Sequence, residues 1–335
     1  MQTIILANTP KILSFAAVGG DVERDGPLGS EFDFLSDDPY FAQPTWERAE
    51  TEMQRKAYAI ACDKAGLCIS DVEAVLAGDL QSQSTASSFA MSESKSVYFG
   101  LYGACSTMAE SLGLAALLVN AGYYSNVAAV TSSHFCTAER QFRFPLDYGG
   151  QRSLTSQWTS TAAGALLLGN GGAAVKNSGI RVTSVTPGKI LDGGITDVMN
   201  MGAAMAPAAY QTLCAHFADL NIEPDYYDLI LSGDLGDFGH SIVTDFFAKS
   251  GVTLYNYNDC GRLIYDRETQ DVRAGGSGCG CSASVLCGHI LRRMERRELK
   301  RVLFAGTGAL MSATSAAQGL TIPGICHAVA LETEG

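Results

Sequence analysis

Short apolar runs that end on a glycine punctuate this chain. Val75-Leu-Ala-Gly-Asp79, Leu229-Ile-Leu-Ser-Gly-Asp234 and Val302-Leu-Phe-Ala-Gly306 each read as a buried strand entering a tight turn. Helical apolar patterns follow them, and this alternation predicts an α/β fold. The pattern also repeats at long range. The segment Asp71–Leu80 matches Tyr227–Leu235. The turn Gly103-Ala-Cys-Ser106, a helix and the strand Asn126–Ser132 match Cys279-Gly-Cys-Ser282, a helix and Arg301–Thr307. The chain therefore reads as two duplicated βαβ halves, residues 1–175 and 176–335, in one compact unit. The glycine-containing stretch 170–179 comes nearest to a seam.

The two matching helices differ. Thr107–Val119 is apolar almost all round, with Ala109, Gly113 and Ala116 on one side, which predicts a buried helix with close neighbours. The helix after Cys281 starts apolar but ends Arg292-Arg-Met-Glu-Arg-Arg-Glu-Leu-Lys-Arg301, which predicts an exposed end. That run reads as a solvated helix C-terminus, where cations suit the dipole and Glu295 and Glu298 pair at helical spacing. Its other reading is a docking patch for a membrane partner or anionic lipid.

The 335 residues are 47% hydrophobic and 17% charged, enough for a large core and incompatible with wholesale disorder. A net charge of −12 argues against nucleic acid as a general partner and against nonspecific adhesion to anionic lipid. No apolar run reaches the 18 or so residues that span a bilayer, and the N-terminus lacks a basic region before its short apolar run. The expectation is a protein made in the cytoplasm with no signal peptide or transmembrane helix. The ten cysteines include no Cys-x-x-Cys pair, so reduced, mostly buried thiols are expected, with no disulfide framework. No metal site and no cofactor are expected.

Cys105 is the first candidate for chemistry. A thiol at a helix start feels the positive dipole end, which favours thiolate, and the same end suits a bound carboxylate. Gly103 and Ala104 leave room beside it; the plainer reading is a small residue at a tight turn. His134 ends a strand and opens a predicted loop carrying Arg140 and Arg143, which could grip a carboxylate bidentately. That loop could equally be surface, with Glu139 neutralising one arginine. Asp79 and Asp234 occupy equivalent repeat positions, as ligand contacts or as caps of the next turn, and Asp79 reads better as a cap. Cys279 and Cys281 flank a glycine-rich helix start whose amides could bind an anion.

A Gly-Ala-Cys-Ser-Thr helix start inside a duplicated α/β chain resembles the thiolase and ketoacyl-synthase superfamily. Further segments make the chain similar to the stage V sporulation AD family of spore-forming bacteria. They are Asp25–Gly29, Ala77–Leu80, Thr131–His134 with Thr137–Arg143, Asp147–Gln151, Met201–Ala209, Asp259–Gly261, Gly275–Cys279 and Thr307–Leu310. The resemblance implies a thiolase-like five-layered αβαβα sandwich in which Cys105 stands at the acyl-accepting position. A condensing enzyme also needs His, Asn or a second Cys to build an oxyanion hole and move protons. The equivalent places here read Ser232–Leu235 and Gly278–Ser284, without His or Asn, and Ala305–Ala309, without a Cys, while His240 and His289 are out of register. Condensation is therefore not expected.

What the resemblance implies instead is a non-catalytic protein that binds dipicolinic acid (pyridine-2,6-dicarboxylate), possibly with calcium, and serves its uptake into the forespore. The expected ligand contacts are Cys105, His134, Arg140, Arg143, Asp234 and Cys279. The expected partners are the other stage V sporulation A membrane proteins, which would hold it peripherally at the spore inner membrane, and a second copy in a homodimer. No calcium loop is present, so calcium would come with the ligand. Two other readings stand beside this one: an acyltransferase or thioesterase using Cys105, and an architectural subunit of a membrane transport complex.

Overall fold

The computed structural model describes residues 1–143, 151–170 and 177–334. The half boundary drawn at 175/176, the core of the 170–179 seam and most of the Asp147–Gln151 segment lie outside the described residues. The first half contributes β1 (Lys11–Gly19), α1 (Trp46–Ala65), β2 (Ala74–Gly78), β3 (Val97–Gly100), α2 (Thr107–Asn120), β4 (Asn126–Ser133), α3 (Phe135–Phe142) and β5 (Ala162–Gly169). The second contributes β6 (Ile180–Thr186), α4 (Met201–Leu220), β7 (Leu229–Ser232), α5 (Gly236–Lys249), β8 (Tyr257–Asp259), α6 (Cys279–Val285), α7 (Leu291–Glu295), β9 (Arg301–Ala309) and β10 (Gly324–Thr333).

These ten strands run in the order β8-β7-β9-β10-β6-β1-β5-β4-β2-β3. The halves join where β1 meets β6 at Lys11 opposite Arg181 and Ile12 opposite Ile180. Outward from that junction, both halves show two antiparallel pairings and then two parallel ones. Order and direction thus repeat strand for strand. The parallel strands are joined by helices, as parallel pairing requires.

Sequence explains the helices. Thr45 caps α1 by accepting from the Arg48 amide, and Gly66 closes it at φ 73°. Its buried stripe, Ala49, Met53, Ala57, Ala61 and Ala65, covers the outer face of β1, β4 and β5. Helices α4 and α5 pack together over the second half, where α4 lies on β9 and β10. Between the two half-sheets lie α2 and α6, which touch each other. The alternation is helix, sheet, helix pair, sheet, helix, the thiolase-like arrangement. Each fully buried large side chain of the middle layer, such as Met108, Leu112 or Phe304, contributes about 1.5–3 kcal/mol. Among the described residues no helix is long and apolar enough to cross a membrane. All ten cysteines are free, and seven are buried.

Two details depart from expectation. The segment after His134 is a helix rather than a loop, because the His134 side chain accepts from the Cys136 amide and starts it. The second central helix is interrupted: a π turn, Leu286–Ile290, separates α6 from α7. Its end is exposed at Glu295, Arg296 and Arg297, while Leu291 and Met294 remain buried.

The middle layer closes only because small residues meet across it. A Cβ on Gly306 of β9 would lie 2.5 Å from the Ala109 Cβ of α2. Gly306→Ala should therefore destabilise the fold by about 1–3 kcal/mol in thermal or urea unfolding. The double variant Gly306→Ala/Ala109→Gly should recover most of that loss, since the two sites share one contact. Additive losses would place the strain elsewhere.

Candidate functional site

The N-terminal ends of the two central helices converge on one cavity. Cys105 lies in a single 3-10 turn, Ala104–Ser106, that leads into α2, and Ala104 takes a left-handed φ of 51° to turn the chain there. Cys279 opens α6 directly after Gly278, whose φ of 94° suits glycine. The Cys105 and Cys279 side chains pack in one small cluster with Leu80, Ala138 and Phe142. The cavity spans about 390 Å³ including space open to solvent, and only about 30 Å³ of it is wide enough for the centre of a water molecule, so it is narrow. Its walls include Leu80, Phe142, Met201 and Met311, with Arg143 at its margin and Cys105, Thr159 and Ser277 among its polar lining.

Asp234 is the electrostatic centre of the site. Its fully buried carboxylate accepts from Thr307 Oγ1 at 3.0 Å, Ser277 Oγ at 3.1 Å and the Gly278 amide at 2.9 Å. The second helix start is thus already occupied by an internal anion, a correction to the view of it as a free anion nest. Burial pushes the Asp234 carboxyl up, against the pull of its hydrogen bonds.

Asp234 also corrects the expectation of a reactive thiolate. The Cys105 thiol is held well above its ordinary range, first by burial, then by the neighbouring Asp234 charge. Burial and the neighbouring Asp234 carboxyl both oppose ionisation of the thiol and outweigh the dipole. Cys279 is raised in the same way, first by burial and next by Glu50, and its thiol donates to the Ser132 carbonyl at 3.0 Å.

The remaining expected contacts divide. Arg143 borders the slot and pairs with Glu139. His134 and Arg140 face elsewhere. The buried His134 ring accepts from the Cys136 amide through Nδ1, and its Nε2 lies 2.8 Å from the Pro39 carbonyl. Burial lowers its pKa, so it is a neutral cap and brings no charge to a ligand. Arg140 pairs with Glu47 and lies over the Trp46 ring at the surface. Asp79 caps its own turn, accepting from the Gln81 amide at 2.8 Å and from Ser87 N and Oγ at 2.8 and 2.6 Å. The structure therefore gathers Cys105, Arg143, Asp234 and Cys279.

Behind Cys279 lies a second buried acid that the sequence reading passed over. Glu50 accepts from Ser132 Oγ at 2.9 Å, Gln81 Nε2 at 2.7 Å and Thr137 Oγ1 at 2.8 Å. Burial raises it, and burial plus Glu50 raises Asp79 to about 7. The signal was there: Glu50 and Gln54 stand one turn apart on the apolar stripe of α1, where an exposed helix carries no polar residues. Among the described residues no cluster of three or more metal-ligating side chains occurs. No histidine or asparagine is among the described residues lining the slot.

The family described as Stage V sporulation protein AD (SpoVAD) matches residues 1–332. Stage V sporulation protein AD of Bacillus subtilis (strain 168) is 42% identical over 335 residues, covering 100% of this chain and 97% of that protein. Human mitochondrial 3-ketoacyl-CoA thiolase in complex with CoA superimposes with a TM-score of 0.61 at 11% identity, over 99% of this chain and 100% of that one. The 3-oxoacyl-[acyl-carrier-protein] synthase III of Aquifex aeolicus gives 0.59 at 12% identity, over 96% and 99%. Acetamide-bound OleA of Xanthomonas campestris gives 0.59 at 13% identity, over 98% and 100%. At these identities the solved structures establish the thiolase-like fold alone.

The electrostatics of the slot set the behaviour of Cys105. Iodoacetamide should alkylate it slowly at pH 8, with a rate that keeps rising beyond pH 9, read from the Cys105 peptide by mass spectrometry. Asp234→Asn removes the nearby negative charge, so the thiol ionises more readily and alkylation at pH 8 should quicken by about tenfold. A rate that levels off below pH 8 and ignores Asp234→Asn would mark an activated thiolate.

Proposed function

Because the chain belongs to the stage V sporulation protein AD family, we propose that it serves sporulation as a binding protein, holding dipicolinic acid in the slot beside Cys105. The observation that carries this reading is the shape and chemistry of the slot. It is narrow, walled by apolar side chains and lined in part by Arg143, whose guanidinium pairs with Glu139. A flat aromatic ring fills such a slot, and a guanidinium pairs with its carboxylate. The thiol that would accept an acyl group is instead held protonated by burial and Asp234. In this reading Cys105, Thr159 and Asp234 shape the inner end, and the protein sits peripherally at the spore inner membrane, held there by other stage V sporulation A membrane proteins.

The carboxyl of Asp234 separates the two forms the ligand can take. A dianion arriving beside it raises its pKa further, so binding the free dianion takes up a proton and strengthens as pH falls. The calcium chelate carries no net charge and imposes no such uptake. Calorimetric titration with dipicolinate, with and without calcium and in buffers of different ionisation heat, reads both affinity and proton uptake. Wild type should bind at millimolar concentration or tighter, and Arg143→Gln should weaken binding by about tenfold or more. No heat and no thermal shift at millimolar ligand would sink the proposal. So would an acyl adduct on Cys105 after exposure to acyl-CoA, seen by intact mass.

A specific observation favours self-association. Strand β3 is one of the two edges of the sheet, and all four of its residues are exposed, including Val97 at 49% and Phe99 at 38%. A hydrophobic edge strand left open invites pairing with another strand. We infer a homodimer through this edge. Sedimentation should give a dimer for wild type and a monomer for Tyr98→Lys/Phe99→Lys; a monomeric wild type at tens of micromolar overturns it.

A further inference from the structure

We propose that a groove at the opposite end of the second central helix binds a phosphate-bearing anion through Lys64, Arg292 and Arg296. The helix that begins at Cys279 in the slot ends at Glu295, about 25 Å away along its axis. There, the last turn of α1, the first residues of β1 and the end of α7 surround a groove of about 650 Å³. Its charged lining is Lys64, Arg292, Arg296, Asp33 and Glu295.

Two of the cations are preorganised. Asp33 Oδ1 accepts from Lys64 Nζ at 2.6 Å and from Arg292 Nη2 at 2.7 Å, and Oδ2 accepts from the Ala17 amide at 2.9 Å. Lys64 is fixed further by donating to the Phe15 carbonyl at 2.9 Å. One carboxylate thus holds two cations side by side and neutralises only one of them. Arg292 spends one of its five donors on Asp33. Arg296 stands exposed at the rim, steadied by Glu298 at 2.6 Å. Glu295 is the other acid lining the groove; exposed at its surface but partly desolvated by its surroundings, its carboxyl is pushed up although Lys64, Arg292 and Arg296 oppose this. Guanidinium forks and an ammonium around a common space match the oxygens of a phosphate.

The distribution of charge supports a specific site. The chain carries −12, yet residues 292–301 hold six of its 23 lysines and arginines and only two acids. Arg297 and Lys300, in the same segment, are also exposed. The surplus of positive charge in an acidic protein is thereby gathered at one place, on a different face from the slot.

A phosphate group can reach the groove on a phospholipid headgroup or on a soluble compound. Co-sedimentation with vesicles of phosphatidylcholine alone, and of phosphatidylcholine mixed equally with phosphatidylglycerol, probes the first source. Calorimetric titration with inorganic pyrophosphate probes the second. The full chain should bind at least one probe. Binding only to the mixed vesicles assigns the lipid, and binding only to pyrophosphate assigns the soluble compound. Arg296→Gln and Arg292→Gln should each weaken that binding by about fivefold. Asp33→Asn removes the internal competitor and should strengthen it by a similar factor. That gain is something a purely structural ion pair would not give, and it keeps the test open if Arg292→Gln fails to fold. Failure of wild type to bind either probe, or Arg296→Gln and Asp33→Asn binding as wild type does, overturns the proposal. Neither readout depends on what the Cys105 slot holds.

Discussion

Two helix starts meet inside this protein, and the carboxyl of Asp234 is what makes that meeting tolerable. Each start presents amides without an intrahelical partner and a partial positive charge. Asp234 answers the second directly, through the Gly278 amide, and lies beside the thiol of the first. Thr307 and Ser277 complete its shell, so the acid carries hydrogen bonds from β9 and from the turn before α6. The price is chemical. Burial and that acid push the Cys105 thiol well above its ordinary range.

The slot exists because the duplication is tight. Cys105 and Arg143 come from the first half, while Met201, Ser277 and Met311 come from the second. They converge because α2 and α6 share one middle layer, which is kept thin by close approaches such as Gly306 to Ala109, Gly113 to Val185 and Gly164 to Ala283. Small residues therefore decide how near the two helix starts approach and hence how narrow the slot is. Packing far from any ligand sets the width available to one.

Much of this was legible in the sequence, for definable reasons. The repeat was visible because both halves place strand, glycine turn and helix in the same order, and β2 and β7 fall where the matching apolar runs end. The burial of α2 was visible because it is apolar all round. What escaped detection depended on side-chain direction. His134 belongs to a motif segment and follows a strand, yet its ring turns back to cap a helix, and spacing cannot show that. Arg140 and Arg143 lie three apart on that helix, but one reaches the surface and the other the slot. The thiolate expectation failed because a helix dipole is a local property, whereas Asp234 arrives from 129 positions away in sequence. Glu50 escaped because a buried acid on an apolar stripe looks like an interruption until its three donors are seen.

The formal charge of −12 also changes meaning once burial is known. Glu23, Asp79 and Asp259 are all pushed up to about 7, chiefly by burial, so near neutrality part of the formal negative charge is carried as neutral acid. Their folded pKa values exceed the unfolded ones. The stability they contribute is complete below the ordinary carboxylate range and is lost as pH rises through about 7. His216, His240 and His327 are lowered to about 4, chiefly by burial. Their contribution is present above the ordinary histidine range and is lost as pH falls through about 4. Between those limits the two sets act in opposite directions, so neither alone tilts the fold. Burial thus favours the neutral forms of these six groups. Of the six cations between Arg292 and Arg301, Arg292 pairs with Asp33 and Arg293 and Arg296 share Glu298, so the segment is matched only in part and keeps a local positive field.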